Sequence, residues 1–208
     1  MKKLNLVISY RVVQSWRLPV FLELSKFSDI NLNIFVGKSF HGTKVVNAHN
    51  VNNLPFCSLL FGFNLFLRRK RGNLCIPFSP FLIFHLIKKK PDVIITEGLS
   101  NLFNNFQCFV YSKIRNIPLI QWGLGDLPLS NRPKKLQFIR NLLKFYESFS
   151  DGSLAYSSHG LNYYAYLGIK KKFIQIILNS IDIETRIKEV FNSFPITNIN
   201  DLIKFPEK

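Results

Sequence analysis

Short apolar runs alternate with helix-like stretches along most of the chain. Residues 4–10 (Leu-Asn-Leu-Val-Ile-Ser-Tyr) are apolar and β-branched and predict a buried strand. A polar stretch over 11–17 leads to Pro19, which opens a helical pattern carrying Phe21, Leu24 and Phe27. Proline suits a first helical turn because its missing N–H would be unpaired there. Residues 30–37 alternate apolar and polar, then turn fully apolar, and Gly37 ends this second strand. Residues 38–75 show no clear period. Beyond them the spacing predicts a helix over 78–90 closed by Pro91, a strand over 91–98, a helix over 102–115 and a strand over 117–122. The loop Gly123-Leu124-Gly125-Asp126 follows. A helix over 134–150, with Leu136, Ile139, Leu142, Leu143 and Tyr146 on one face, comes next. A strand over 152–157, a short helix over 158–167 stopped by Gly168, and a last strand over 173–177 complete the series.

Strands that alternate with helices need crossover connections. The expected fold is therefore α/β, a Rossmann-like parallel sheet with helices on both faces and ligands at the carboxyl ends of the strands. The pattern stops near Asn179, so the expected organisation is one domain over 1–182 and a linker or tail over 183–208.

Composition narrows the function. At 47% hydrophobic the chain can bury a sizeable core. Cys57, Cys75 and Cys108 form no CxxC pair, and His41, His49 and His85 lack ligand or relay spacing, so no metal is expected and a reducing, cytoplasmic setting is. The first strand is not followed by G-x-G-x-x-G, which argues against a dinucleotide cofactor. The apolar stretches 54–67 and 74–87 are each about 14 residues, short of the roughly 20 that span a bilayer.

Charge adds a second theme. Twenty-eight Lys and Arg against 12 Asp and Glu give +16, an attraction to anionic partners or a lysine-rich solvated surface. The cations gather in knots (Arg68-Arg69-Lys70-Arg71, Lys88-Lys89-Lys90, Lys134-Lys135, Lys170-Lys171-Lys172) at loop or helix ends rather than along one helix. That scatter, with no recognisable binding module, argues against nucleic acid. The apolar run 56–67 followed by Arg68, Arg69, Lys70 and Arg71 fits peripheral docking on an anionic membrane, or equally a core run beside an exposed basic loop.

Three stretches then carry a resemblance. Lys89-Lys90-Pro91-Asp92-Val93-Ile94-Ile95-Thr96-Glu97-Gly98 is one, and Asn116-Ile117-Pro118-Leu119-Ile120-Gln121-Trp122-Gly123 another. The third runs Ala155-Tyr156-Ser157 through Tyr163 and Leu167-Gly168-Ile169 to Asn179-Ser180-Ile181-Asp182. Together they resemble the N-terminal domain of the glycosyltransferase group 1 family, the family 4-type enzymes of GT-B fold. The resemblance implies two Rossmann-like domains facing across a cleft, this one shaping the acceptor site and an absent C-terminal one holding a nucleotide-sugar. It implies transfer of a sugar from that donor, a co-substrate rather than a cofactor, to a glycan or lipid-linked acceptor in cell-envelope polysaccharide synthesis. The donor domain would come from a separate chain. The alternative is a non-catalytic remnant, or a binding subunit of a split transferase. Two departures stand out: residues 10–17 lack the family's double glycine, and Leu124 stands where relatives often carry histidine.

Glycosyl transfer needs a group to take the acceptor proton and cations to neutralise the leaving diphosphate. Asp126, just past a strand end, is the candidate catalytic carboxylate, as general base or acceptor-orienting group; a turn cap is its structural alternative. Glu97 could bind sugar hydroxyls or start a turn. Arg11 and Arg17 could face a phosphate. Trp122 could stack on a sugar, as could Trp16, or pack in the core. His159 could donate to acceptor or phosphate, or cap a helix.

Overall fold

The computed structural model describes residues 2–39, 46–67, 74–98, 101–126 and 134–177, with backbone alone for 64–67, 74–76 and 134–139. His41, the knot Arg68–Arg69–Lys70–Arg71, the Asn179–Asp182 motif and the tail 183–208 lie outside the described residues.

In β1 (Leu4–Tyr10) the period-two rule divides the side chains cleanly. Leu6, Ile8 and Tyr10 join one core cluster with Leu32, Ile34 and Val36 of β2 (Ile30–Val36) and with Phe21 of α1 (Leu18–Ser25). Val7 goes to the opposite cluster with Phe35, with Leu82 and Leu86 of α2 (Leu82–Lys89), and with Cys108 and Tyr111 of α3 (Leu102–Arg115). The sheet is thus covered on both faces, and its strands are apolar on both sides.

Seven strands form one parallel sheet: β1, β2, β3 (Cys57–Leu59), β6 (Val93–Glu97), β7 (Leu119–Gly123), β8 (Gly152–Ala155) and β9 (Ile174–Ile176). Their spatial order is β3-β2-β1-β6-β7-β8-β9. The chain therefore builds outward from β1 in one direction, then returns to β1's other side and builds outward again. The order reverses between β1 and β6, which pair directly from Leu6 opposite Val93 to Ser9 opposite Thr96. At such a reversal the two crossovers leave to opposite faces and open a crevice above the carboxyl ends. Helices α4 (Lys134–Ser148) and α5 (Ser158–Tyr166) flank the second half; Leu143 and Tyr146 of α4 pack on Leu102 of α3.

Two features depart from the expected element order. The aperiodic stretch before residue 75 contains β3, which extends the sheet past β2, and the first arm of a separate antiparallel hairpin, β4 (Phe63–Leu67) with β5 (Leu74–Phe78). The helix expected from residue 78 begins at Leu82, because Pro77 and Phe78 belong to β5. Proline lacks an N–H to donate, and a two-stranded pair, with both strands at an edge, tolerates it.

Candidate functional site

The carboxyl edge of the sheet gathers the candidate side chains into two adjoining groups. The first sits over the β1–β6 reversal. Arg11, the residue after β1, donates its backbone N–H to Oε2 of Glu97, the last residue of β6, at 2.8 Å. Its side-chain Nε is buried without a hydrogen-bond partner. The glycine-free loop holding Arg11 is pinned from outside: Val13 N–H donates to Asn47 Oδ1 at 2.8 Å, and Asn47 Nδ2 donates to the Gly37 carbonyl at 2.9 Å. Gly37 is required there, since a Cβ would stand 2.6 Å from the Arg11 carbonyl oxygen.

Arg17 and Trp122 lie beneath this layer. Arg17 is 2% exposed and Trp122 3%. The Arg17 guanidinium stands 4.5 Å from the ring centre of Trp16, 4.7 Å from that of Trp122 and 5.1 Å from that of Tyr156, and donates to the Tyr156 hydroxyl at 2.8 Å. Cation–π contact and charge-assisted hydrogen bonding make such burial of a cation tolerable. Trp122 meets Tyr10 and Phe21 edge-on, each 5.9 Å between ring centres. Neither side chain presents a free face at the surface.

The second group follows β7. Asp126 forms ion pairs with Arg140 and, at 3.2 Å, with Lys144, both from α4. Its backbone carbonyl accepts from His159 Nε2 at 3.0 Å. His159 is the second residue of α5, behind Ser157, whose Oγ accepts the Gly160 N–H at 3.3 Å as an N-cap. The imidazole is exposed, beside the Asp126 loop.

A further residue, not singled out above, joins these groups. Glu147 of α4 is 1% exposed; its Oε2 accepts the Tyr163 hydroxyl at 2.5 Å, and its Oε1 is buried with no hydrogen-bond partner. Burial pushes its carboxyl up to about 7, against the pull of the Tyr163 hydroxyl, Arg140 and Lys144. The signal was present in the sequence: Glu147 lies four residues after Leu143, on the apolar face of its helix. Two glycines make room here, one for Glu147 and one for Tyr164. A Cβ at Gly98 would stand 3.3 Å from Glu147 Oε1, and one at Gly123 3.1 Å from the Tyr164 hydroxyl.

Gly125 adopts φ +75°, and a Cβ there would stand 2.7 Å from Cδ1 of Tyr163. Gly125→Ala is expected to cost about 1–3 kcal/mol, from left-handed strain and from displacement of the Tyr163 ring. Urea unfolding measures it, and an unchanged midpoint would refute the close approach.

The doubly wound sheet with its crevice at the strand reversal defines one Rossmann-like half of the GT-B fold. Solved structures agree. A UDP-N-acetylglucosamine 2-epimerase superposes with TM-score 0.55 at 16% identity, over 84% of this chain and 48% of that one. The UDP-GlcNAc 2-epimerase from Neisseria meningitidis bound to UDP-GlcNAc gives TM-score 0.55 at 15% identity, over 95% of this chain and 55% of that one. HepE from Anabaena, in complex with UDP, gives 0.55 at 14%, over 95% and 51%. The chain spans about half the length of these structures, and at such identities what it shares with them is the fold. The sequence matches no family model and no curated protein. Among the described residues no helix is long and apolar enough to cross a membrane.

Proposed function

We propose that this domain is the acceptor-side wall of a family 4-like glycosyltransferase, active when a donor-binding half faces it. The observation that carries the reading is the Arg11–Glu97 pairing across the strand reversal, where an open α/β sheet binds its ligand. The similarity of fold to proteins solved with UDP and UDP-GlcNAc supports a nucleotide-sugar as donor.

The residues divide the chemistry between them. The acceptor oxygen forms the new bond to the anomeric carbon, the bond to the nucleoside diphosphate breaks, and a carboxylate takes the hydroxyl proton. In this reading Glu97, at the end of β6 over the strand reversal, takes that proton, and Asp126, ion-paired with Arg140 and Lys144, orients the acceptor. The guanidinium of Arg11 faces the departing diphosphate, and exposed His159 contacts the acceptor.

Calorimetry with UDP-GlcNAc and other UDP-sugars tests the binding half of this reading. Arg11→Ala is expected to weaken binding roughly tenfold, the worth of a charge-assisted contact. Mixing the chain with a donor-binding half should then yield acceptor extended by one sugar, read by mass. Glu97→Gln should lower that rate while leaving donor affinity unchanged. Absence of nucleotide-sugar binding by chain and mixture alike would sink the proposal. Because epimerases share the fold, a sugar inverted at C2 without any acceptor would assign the site to epimerisation instead.

A further inference from the structure

Helix α2 has two apolar faces, and among the described residues one of them is left exposed. Leu82 and Leu86 are fully buried against the sheet. On the opposite side Phe81, Phe84 and Ile87 recur every third residue, 51%, 62% and 53% exposed. The patch continues beyond the helix: Phe61 lies 5.2 Å from Phe63 and 6.2 Å from Phe81, which lies 6.2 Å from Phe84. Four aromatic rings and Ile87 thus form one continuous exposed surface. Patches of this kind on a folded domain mark a contact with something apolar.

Charge identifies what it meets. The helix ends in Lys88 and Lys89, followed by Lys90, all exposed. The neighbouring α3 ends in exposed Lys113 and Arg115. Both helices precede a strand of the parallel sheet, so both place these cations at the same edge, opposite the Arg11–Glu97 crevice. Neither helix contains an Asp or a Glu, and the one acid of α4, Glu147, is buried. The acids at this edge are engaged, Asp92 with Lys2 at 3.0 Å and Asp151 with Lys113 at 4.0 Å, so two copies of this face related by a two-fold axis would set Lys88–Lys90 against one another. A single-stranded nucleic acid would stack bases on free ring faces among interleaved cations. Here the rings lean on one another, and the cations stand at one end.

We propose that the outer face of α2, with Phe61 and Phe63, docks on an anionic lipid bilayer. The helix lies in the interfacial plane with Phe81, Phe84 and Ile87 among the acyl chains, and Lys88–Lys90 meet acidic headgroups. This surface is distinct from the Arg11–Glu97 site, and its test does not depend on the activity proposed there.

Co-sedimentation of the full chain with vesicles tests it. Binding is expected to vesicles of phosphatidylcholine mixed with phosphatidylglycerol, weak binding to phosphatidylcholine alone, and release as salt rises. Phe81→Ser with Phe84→Ser should abolish binding. Each of Lys88→Gln, Lys89→Gln and Lys90→Gln should lower partitioning about fivefold. These side chains are exposed, so thermal unfolding should barely move, and variants that do unfold are replaced by Ile87→Ser. Three results would overturn the proposal: equal binding to both vesicle types or to neither, variants that bind like the parent, or a chain that dimerises or binds an oligonucleotide through this same patch.

Discussion

Glu147→Gln is expected to abolish a fall in stability that the parent chain shows as pH rises from about 4.5 to about 7. The cause is the burial that raises this carboxyl. Within that window the unfolded chain has released the proton while the folded chain still holds it, so folding is linked to proton uptake and weakens with pH. Above about pH 7 both states are ionised and the loss is complete, roughly 3 kcal/mol in all. Glutamine carries no charge and keeps an oxygen for the Tyr163 hydroxyl. At pH 8 the variant should therefore be the more stable, and at pH 4 the two should converge. Urea titrations across this range read the slope directly, and parallel curves would show that Glu147 ionises as freely folded as unfolded. The same measurement bears on the site, because the carboxyl lies against Gly98 and its release from Tyr163 would disturb the strand ends under Glu97.

The second large effect is expected at Phe21. This ring is fully buried and meets Tyr10 at 5.7 Å and Trp122 at 5.9 Å between centres, both edge-on. Phe21→Ala should cost about 3–5 kcal/mol, the lost transfer energy plus the cavity left behind. For a domain of this size that lowers the melting temperature by about 10 °C. The cavity would open beneath Trp122, one wall of the Arg17 cage. Loss of stability should therefore come with a change in the fluorescence of Trp122, a pairing that damage remote from the cage would not produce. A cost below about 1 kcal/mol would mean the core closes over the gap.

Legibility in the sequence followed how local each signal was. The parallel strands with continuous apolar runs could be read directly, and α3 falls on the expected residues 102–115. Strand β3 and the β4–β5 hairpin could not, because short edge elements have few residues in which to show a period and Pro77 masks the strand it belongs to. Arg11 and Glu97 were visible as charged residues where apolar runs end. Glu147 was missed because a glutamate in a surface-type helix ordinarily faces water; its carboxyl is accommodated against Gly98, whose missing side chain leaves it room.

Residue chemistry along the chain was enough to define an α/β domain, its strand ends and an excess of cations, since each rests on neighbours within one element. Strand order belongs to the tertiary structure alone. It brings Arg11 against Glu97 across 86 positions, encloses Arg17 with Tyr156 across 139, and among the described residues leaves the aromatic face of α2 exposed. No local pattern encodes those meetings, because they arise from which strand pairs with which, and that choice is made by burying both faces of the whole sheet at once.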